Sequence, residues 1–209
     1  MAAMRSCAAP HEAAPSPRWR KLVGPVSSVC AAAVLLTGCT ITGESGGQNE
    51  AKRQVSTSFQ EYAPDATAIT YYPDQVPAGA RVRVTSEQTD ERTRVTLEVE
   101  GLQPNRAYGA HVHTKPCGSS GADAGPHFQQ RPDPVKPSVD PAYANPENEV
   151  WLDFHTDEAG SGSTTAEGTW PLSERDDAQS VVIHEQHTSS EPGRAGDAGT
   201  RLACINMEF

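Results

Sequence analysis

An all-β domain, folded as an eight-stranded antiparallel Greek-key barrel or sandwich, is what the sequence predicts, on three observations. With 17 Gly, 17 Pro and 6% aromatic residues among 209, the chain is rich in turn formers and poor in the material of a helical bundle. Short β-prone runs recur over residues 67–207 with no helical period between them, the spacing of an antiparallel rather than a parallel α/β sheet. Several of those runs alternate apolar with polar residues, as strands with one wet face do.

The first segment is not part of that domain. Basic Arg18, Arg20 and Lys21 precede small and apolar residues from Leu22 to Leu36, ending Leu36-Thr37-Gly38-Cys39. The apolar part is too short and interrupted for a stable membrane span, so residues 1–38 read as an export signal that is removed. Its ending is similar to the bacterial lipobox, which would make Cys39 the acylated first residue of a membrane-anchored, extracytoplasmic lipoprotein. Cleavage nearby without lipid is the alternative, and Cys30, preceded by Ser27-Ser28-Val29, fits the pattern less well. Residues 39–65, mostly Gly, Ser, Gln, Glu and Lys at their start, read as a flexible tether, and residues 66–209 as the folded domain.

Charge and cysteine usage sharpen the picture. A formal net charge of −10 excludes a broad face of Lys and Arg that neutralises phosphates, so no nucleic-acid partner is expected. Removing residues 1–38 takes away four basic residues and one acid, leaving the remainder still more acidic. Of five Cys, Cys7 and Cys30 leave with the signal and Cys39 takes lipid. Cys117 and Cys204 remain, and in an oxidising compartment two thiols imply one disulfide, with two free buried thiols as the alternative.

In order, strands are expected at Thr67–Tyr72, Arg81–Thr85, Val95–Val99, Tyr108–His113, Glu149–Thr156, Ser163–Trp170, Ser180–His184 and Arg201–Met207, with hairpin turns at Gln88–Glu91 and Gly101–Asn105. The long segment from Cys117 to Asn148 carries Pro132, Pro134, Pro137, Pro141 and Pro146 among its prolines. A connection of that length in a compact domain is functional or disordered, and its prolines favour an ordered, functional loop.

Histidine carries the chemistry. His111-Val112-His113 lies on a predicted strand, where residues i and i+2 share a face and two imidazoles can converge on one ion. Alone, such a pair is as compatible with a solvent-facing surface. Its surroundings decide the matter: Gly109-Ala110-His111-Val112-His113-Thr114-Lys115-Pro116-Cys117-Gly118, then Gly125-Pro126-His127, then Val181-Val182-Ile183-His184, then Gly196-Asp197-Ala198-Gly199-Thr200-Arg201-Leu202-Ala203-Cys204.

In order and spacing these blocks resemble the Cu/Zn superoxide dismutase family over residues 67–209. The resemblance implies an eight-stranded Greek-key barrel. It implies that His111, His113, His127 and His184 are copper ligands, with His127 at the position that bridges to zinc, and that Cys117 and Cys204 form the intrasubunit disulfide. It also implies that Arg201 guides superoxide at the metal. Imidazole nitrogens suit copper, which cycles between two oxidation states where zinc cannot.

The pattern departs from the family at the zinc subsite. Two further His and an Asp expected after the bridging His are missing, and Glu149-Val150-Trp151-Leu152-Asp153-Phe154 reads as packing in their place. The acid that would link copper-site to zinc-site His is also missing after His184, and the segment to Arg201 is short. Copper without zinc is the expected cofactor set. His155 and His187 read as surface residues; a shifted zinc site built from one of them with His127 is not expected. The leading expectation is an exported, lipid-anchored, copper-dependent superoxide dismutase. A non-catalytic copper-buffering lipoprotein, or an interaction module on the same scaffold, is the alternative, and the retained Arg201 weighs against both.

Overall fold

The computed structural model describes residues 50–209; the expected signal 1–38 and the Cys39 anchor lie outside the described residues. Nine strands form two antiparallel sheets: β1 (Ala51–Ser58), β2 (Ala68–Thr70), β3 (Arg81–Thr89), β4 (Arg92–Glu100), β5 (Ala107–His113), β6 (Phe154–His155), β7 (Gly162–Gly168), β8 (Ser180–His184) and β9 (Arg201–Asn206). One sheet runs β1-β3-β4-β7 and the other β2-β9-β8-β5-β6. Apart from two short 3-10 turns, no helix occurs among the described residues, and none is long and apolar enough to cross a membrane.

Alternation sets the packing of the first sheet. In β3 and β4 every second residue is buried, and the register pairs Val82 with Val99, Val84 with Leu97 and Ser86 with Val95. Inward side chains therefore meet across the ladder, and the outward ones carry charge. Gln88 and Thr93, the polar pair at the end of the inward row, accept backbone N–H bonds from Ser173 and Leu172.

Three expectations need correction here. The tether does not extend to residue 65: Ala51–Ser58 pairs with β3 along its whole length, and Phe59 is buried in the core. An edge strand exposed on most of its surface needs no apolar alternation, and Lys52 and Arg53 discourage further strand pairing along it. The strand expected over residues 149–156 contracts to Phe154–His155, preceded by isolated bridges of Glu149 to Gln129 and Trp151 to His111. The first hairpin turn is also tighter, Asp90-Glu91 alone joining β3 to β4.

The second sheet is covered on both faces. Along β5, Tyr108, Ala110 and Val112 enter the core between the sheets, while His111 and His113 point the other way and are still fully buried. Their cover is the loop from Cys117 to Asn148, which is ordered by its own side chains. Asn148 accepts from the Arg131 N–H and donates to the carbonyls of Arg131 and Tyr143, and Ser138 donates to Asp133. Cys117 and Cys204 are disulfide-bonded, tying this loop to β9.

The bridge spans a separation of 87 residues, and constraining the unfolded chain over such a loop stabilises by about 2–5 kcal/mol. Replacing both cysteines with Ala is expected to lower the unfolding free energy by that amount and so to move the urea midpoint down. An unchanged midpoint would show that the loop is held without the cross-link.

Candidate metal centre

Register brings the histidines together. In the ladders Gly109 pairs with His184, His113 with Ser180, and His184 with Arg201, so β5, β8 and β9 deliver two His, one His and the Arg to one outer face. His127 arrives from the loop: the bridge to His113, and the Phe128 N–H donated to the Val112 carbonyl at 2.8 Å, pin it beside β5. One nitrogen from each of His111, His113, His127 and His184 lies within 4.8 Å of every other.

The outer nitrogens show which atoms are free. His113 Nδ1–H donates to the Gly125 carbonyl at 3.0 Å, His184 Nδ1–H to the Gly199 carbonyl at 3.4 Å, and His127 Nδ1–H to the Glu149 carboxylate at 2.9 Å. Thr188 gives its hydroxyl proton to Asp153 at 2.6 Å, so its oxygen accepts from His111 Nε2–H at 2.7 Å. Every ring thus spends its proton outward. What remains inside are three Nε2 lone pairs and His111 Nδ1, a buried atom with no hydrogen-bond partner. Such an orphan is costly unless something binds it, and four converging neutral imidazoles are a donor set for a transition-metal ion. His113 Nε2 and His184 Nε2, 3.3 Å apart, point lone pair at lone pair, which a shared cation would relieve.

Burial keeps His111, His113 and His184 neutral. Desolvation, followed by the neighbouring His127, holds His111 and His113 well below the usual histidine range, and His184 falls from 6.5 to about 3 for the same reasons. The unfolded chain therefore takes up protons below about pH 6.5 that the folded chain refuses, so folding stability is fully present above that pH and drains away toward pH 3. Metal-free protein is expected to lose thermal stability steadily across this window. A His184→Gln variant should show a shallower decline; identical slopes would refute the assignment.

One side of the cluster is open. His127 is 15% exposed where its three partners are buried, and it lines a cavity of about 630 Å³ together with Glu149, Lys136, Arg194, Asp197 and Arg201. Arg201 is fixed on that wall by donating Nη1–H to the Gly121 carbonyl at 2.9 Å. Gly121 is small by necessity, since a Cβ there would sit 2.7 Å from Arg201 Cβ.

Residues 79–207 match the family model for copper/zinc superoxide dismutase (SODC). The chain belongs to the copper/zinc superoxide dismutase family. Among solved structures, Cu/Zn superoxide dismutase from Brucella abortus superposes with a TM-score of 0.51 at 19% identity, covering 75% of this chain and all of that one. The P104H mutant of a SOD-like protein from Bacillus subtilis gives 0.49 at 16% identity, covering 69% of this chain and 99% of that one. No curated protein matches.

Within this superoxide dismutase fold the acids of residues 149–154 are more than packing. Val150, Leu152 and Phe154 enter the core, while Glu149 and Asp153 engage the site on the alternate positions. Glu149, 2% exposed, accepts from His127 Nδ1–H, Trp151 Nε1–H at 2.7 Å and Gln129 Nε2–H at 2.8 Å. Asp153 reaches His111 through Thr188, so an acid from before β6 supports this one histidine and does not link two. Period-two alternation of two acids in an otherwise apolar run was the available signal. His155 and His187 stand outside the four-nitrogen group, and Cys39 lies outside the described residues.

Proposed function

We propose that this protein is an exported, lipid-anchored superoxide dismutase that uses copper, converting two superoxide ions and two protons to dioxygen and hydrogen peroxide. The reading is carried by the inward lone pairs of His111 Nδ1 and of Nε2 on His113, His127 and His184, each fixed by an outward hydrogen bond. When bound there, copper supplies the one-electron chemistry. Zinc beside it is not part of the reading, because the His127 Nδ1–H is already committed to Glu149 and offers no lone pair to a second ion. For the same reason a proton taken up by His127 would sit on Nε2, and only while that lone pair is not held by copper. Arg201 attracts the anion along the cavity wall. The signal segment and Cys39 support export and anchoring by a lipid.

Elemental analysis after loading with copper and zinc together, paired with a superoxide-decay assay, tests the proposal. About one copper, little zinc and catalysed decay are expected. His111→Ala should lose copper and activity together. Equal copper and zinc would overturn the copper-only reading, and copper retained without accelerated decay would make the protein a copper store. Cys39 is checked separately by intact mass of membrane-extracted protein, where an unmodified thiol would refute the anchor.

A further inference from the structure

The two histidines that the four-nitrogen cluster leaves out lie together. His155, at the end of β6, and His187, three residues beyond β8, have ring centroids 4.3 Å apart and planes at 74°. Pairs inside the cluster have nearly this relation: His111 with His184 at 4.8 Å and 71°, and His113 with His127 at 4.8 Å and 74°. Two imidazoles in this edge-to-face arrangement can turn one nitrogen each toward a common point.

Proton placement again selects the free atom. His187 Nε2 lies 3.1 Å from the Phe154 carbonyl, which can only accept, so the neutral ring carries its proton there and keeps its Nδ1 lone pair. Both residues are exposed. The backbone around them is fixed rather than loose: Thr188 N–H and Oγ1–H donate to Asp153, and His155 pairs with Ala107 in the ladder. Beside His155 a shallow cleft of about 620 Å³ is lined by Glu98, Glu100 and Asp157. Glu98 and Glu100 are paired with Arg83 and Arg81, and Asp157, whose Oδ1 accepts the Ala159 and Ser161 backbone N–H groups, contributes the remaining negative charge that attracts a cation. A preorganised pair of exposed imidazoles at an acidic rim is a site for a borderline-soft divalent ion, and among these Cu(II) binds nitrogen donors most strongly.

We propose that His155 and His187 form a second, surface metal site that takes Cu(II), independent of the four-histidine centre and weaker than it. Two protein ligands leave the remaining coordination positions to water, so the ion there exchanges readily. Binding also clamps β6 to the segment after β8, the two stretches joined by the Asp153–Thr188 contact.

The test is a Cu(II) titration, by calorimetry and electron paramagnetic resonance, of untagged mature protein already holding one equivalent of copper. A second equivalent is expected, bound about tenfold or more less tightly than the first. His155→Ala and His187→Ala should each abolish it and leave the first equivalent unchanged. Retention on immobilised Ni(II) gives a second measurement: wild type is held back, and both variants elute early. A wild type that takes only one equivalent, or a second equivalent and Ni(II) retention that persist in both variants, overturns the proposal. His111→Ala separates the two sites. If it loses the tight equivalent but keeps the weak one, both readings stand, whereas a weak equivalent without any tight one in wild type would remove only the proposed function.

Discussion

Glu149→Ala is expected to weaken copper binding about 10- to 100-fold, the usual consequence of removing a partner that orients a ligating histidine. The carboxylate holds the His127 proton on Nδ1. Without it, that proton is free to move to Nε2 and occupy the lone pair the metal needs. Three donors lose their acceptor at once, those of half-buried His127 and Trp151 and of buried Gln129, so the metal-free protein should also lose about 3 kcal/mol. Glu149→Gln should fall between. An amide oxygen at the Oε2 position still accepts from His127 and Trp151, but its NH₂ would then face the Gln129 NH₂. Turning Gln129 to relieve the clash abandons the Asp133 N–H, which Gln129 Oε1 accepts at 2.9 Å. Chelator competition and thermal melts measure both effects. Copper affinity at the wild-type level in Glu149→Ala would show that the carboxylate packs the loop and does not govern the ligand.

The legible parts of this chain are those where one local pattern had one structural solution. Val82, Val84, Val95, Leu97 and Val99 alternate with polar residues, and a two-layer sandwich is the simplest place for such strands. β1 escaped because an edge strand is stabilised mainly by backbone pairing with β3, and its side chains record little of that. The four histidines were legible through their order and spacing. Their tautomers were not, since each is set by an acceptor far away in the chain: a carbonyl at Gly125 or Gly199, an acid at Glu149, a hydroxyl at Thr188. Glu149 and Asp153 were visible as residues and misread in role. In a short run between loops, period-two alternation says that two faces differ, and only the fold says that the second face meets the buried histidine cluster instead of water.

Arg201→Ala should lower the second-order rate of superoxide decay about tenfold or more while leaving copper content unchanged. The chain carries a formal charge of −10, so its long-range field repels the anion and the attraction must be local. Arg201 shares the cavity wall with His127, and its positive charge is felt at His111, His113 and His184, where it helps hold the rings unprotonated. Opposite charges at 4 Å attract by about 4 kcal/mol at an effective dielectric of 20, so even a screened remnant matters. Raising salt should therefore slow the wild type, as screening sets in over about 10 Å at 0.1 M, and should slow Arg201→Ala much less. Arg201→Lys should be intermediate. A lysine keeps the charge, but it lacks the planar fork that lets one nitrogen hold the Gly121 carbonyl while others face the cavity. Stopped-flow decay at matched copper loading decides the matter. Equal, salt-independent rates for wild type and Arg201→Ala would leave the guanidinium as a strut for the disulfide loop and remove the argument for steering.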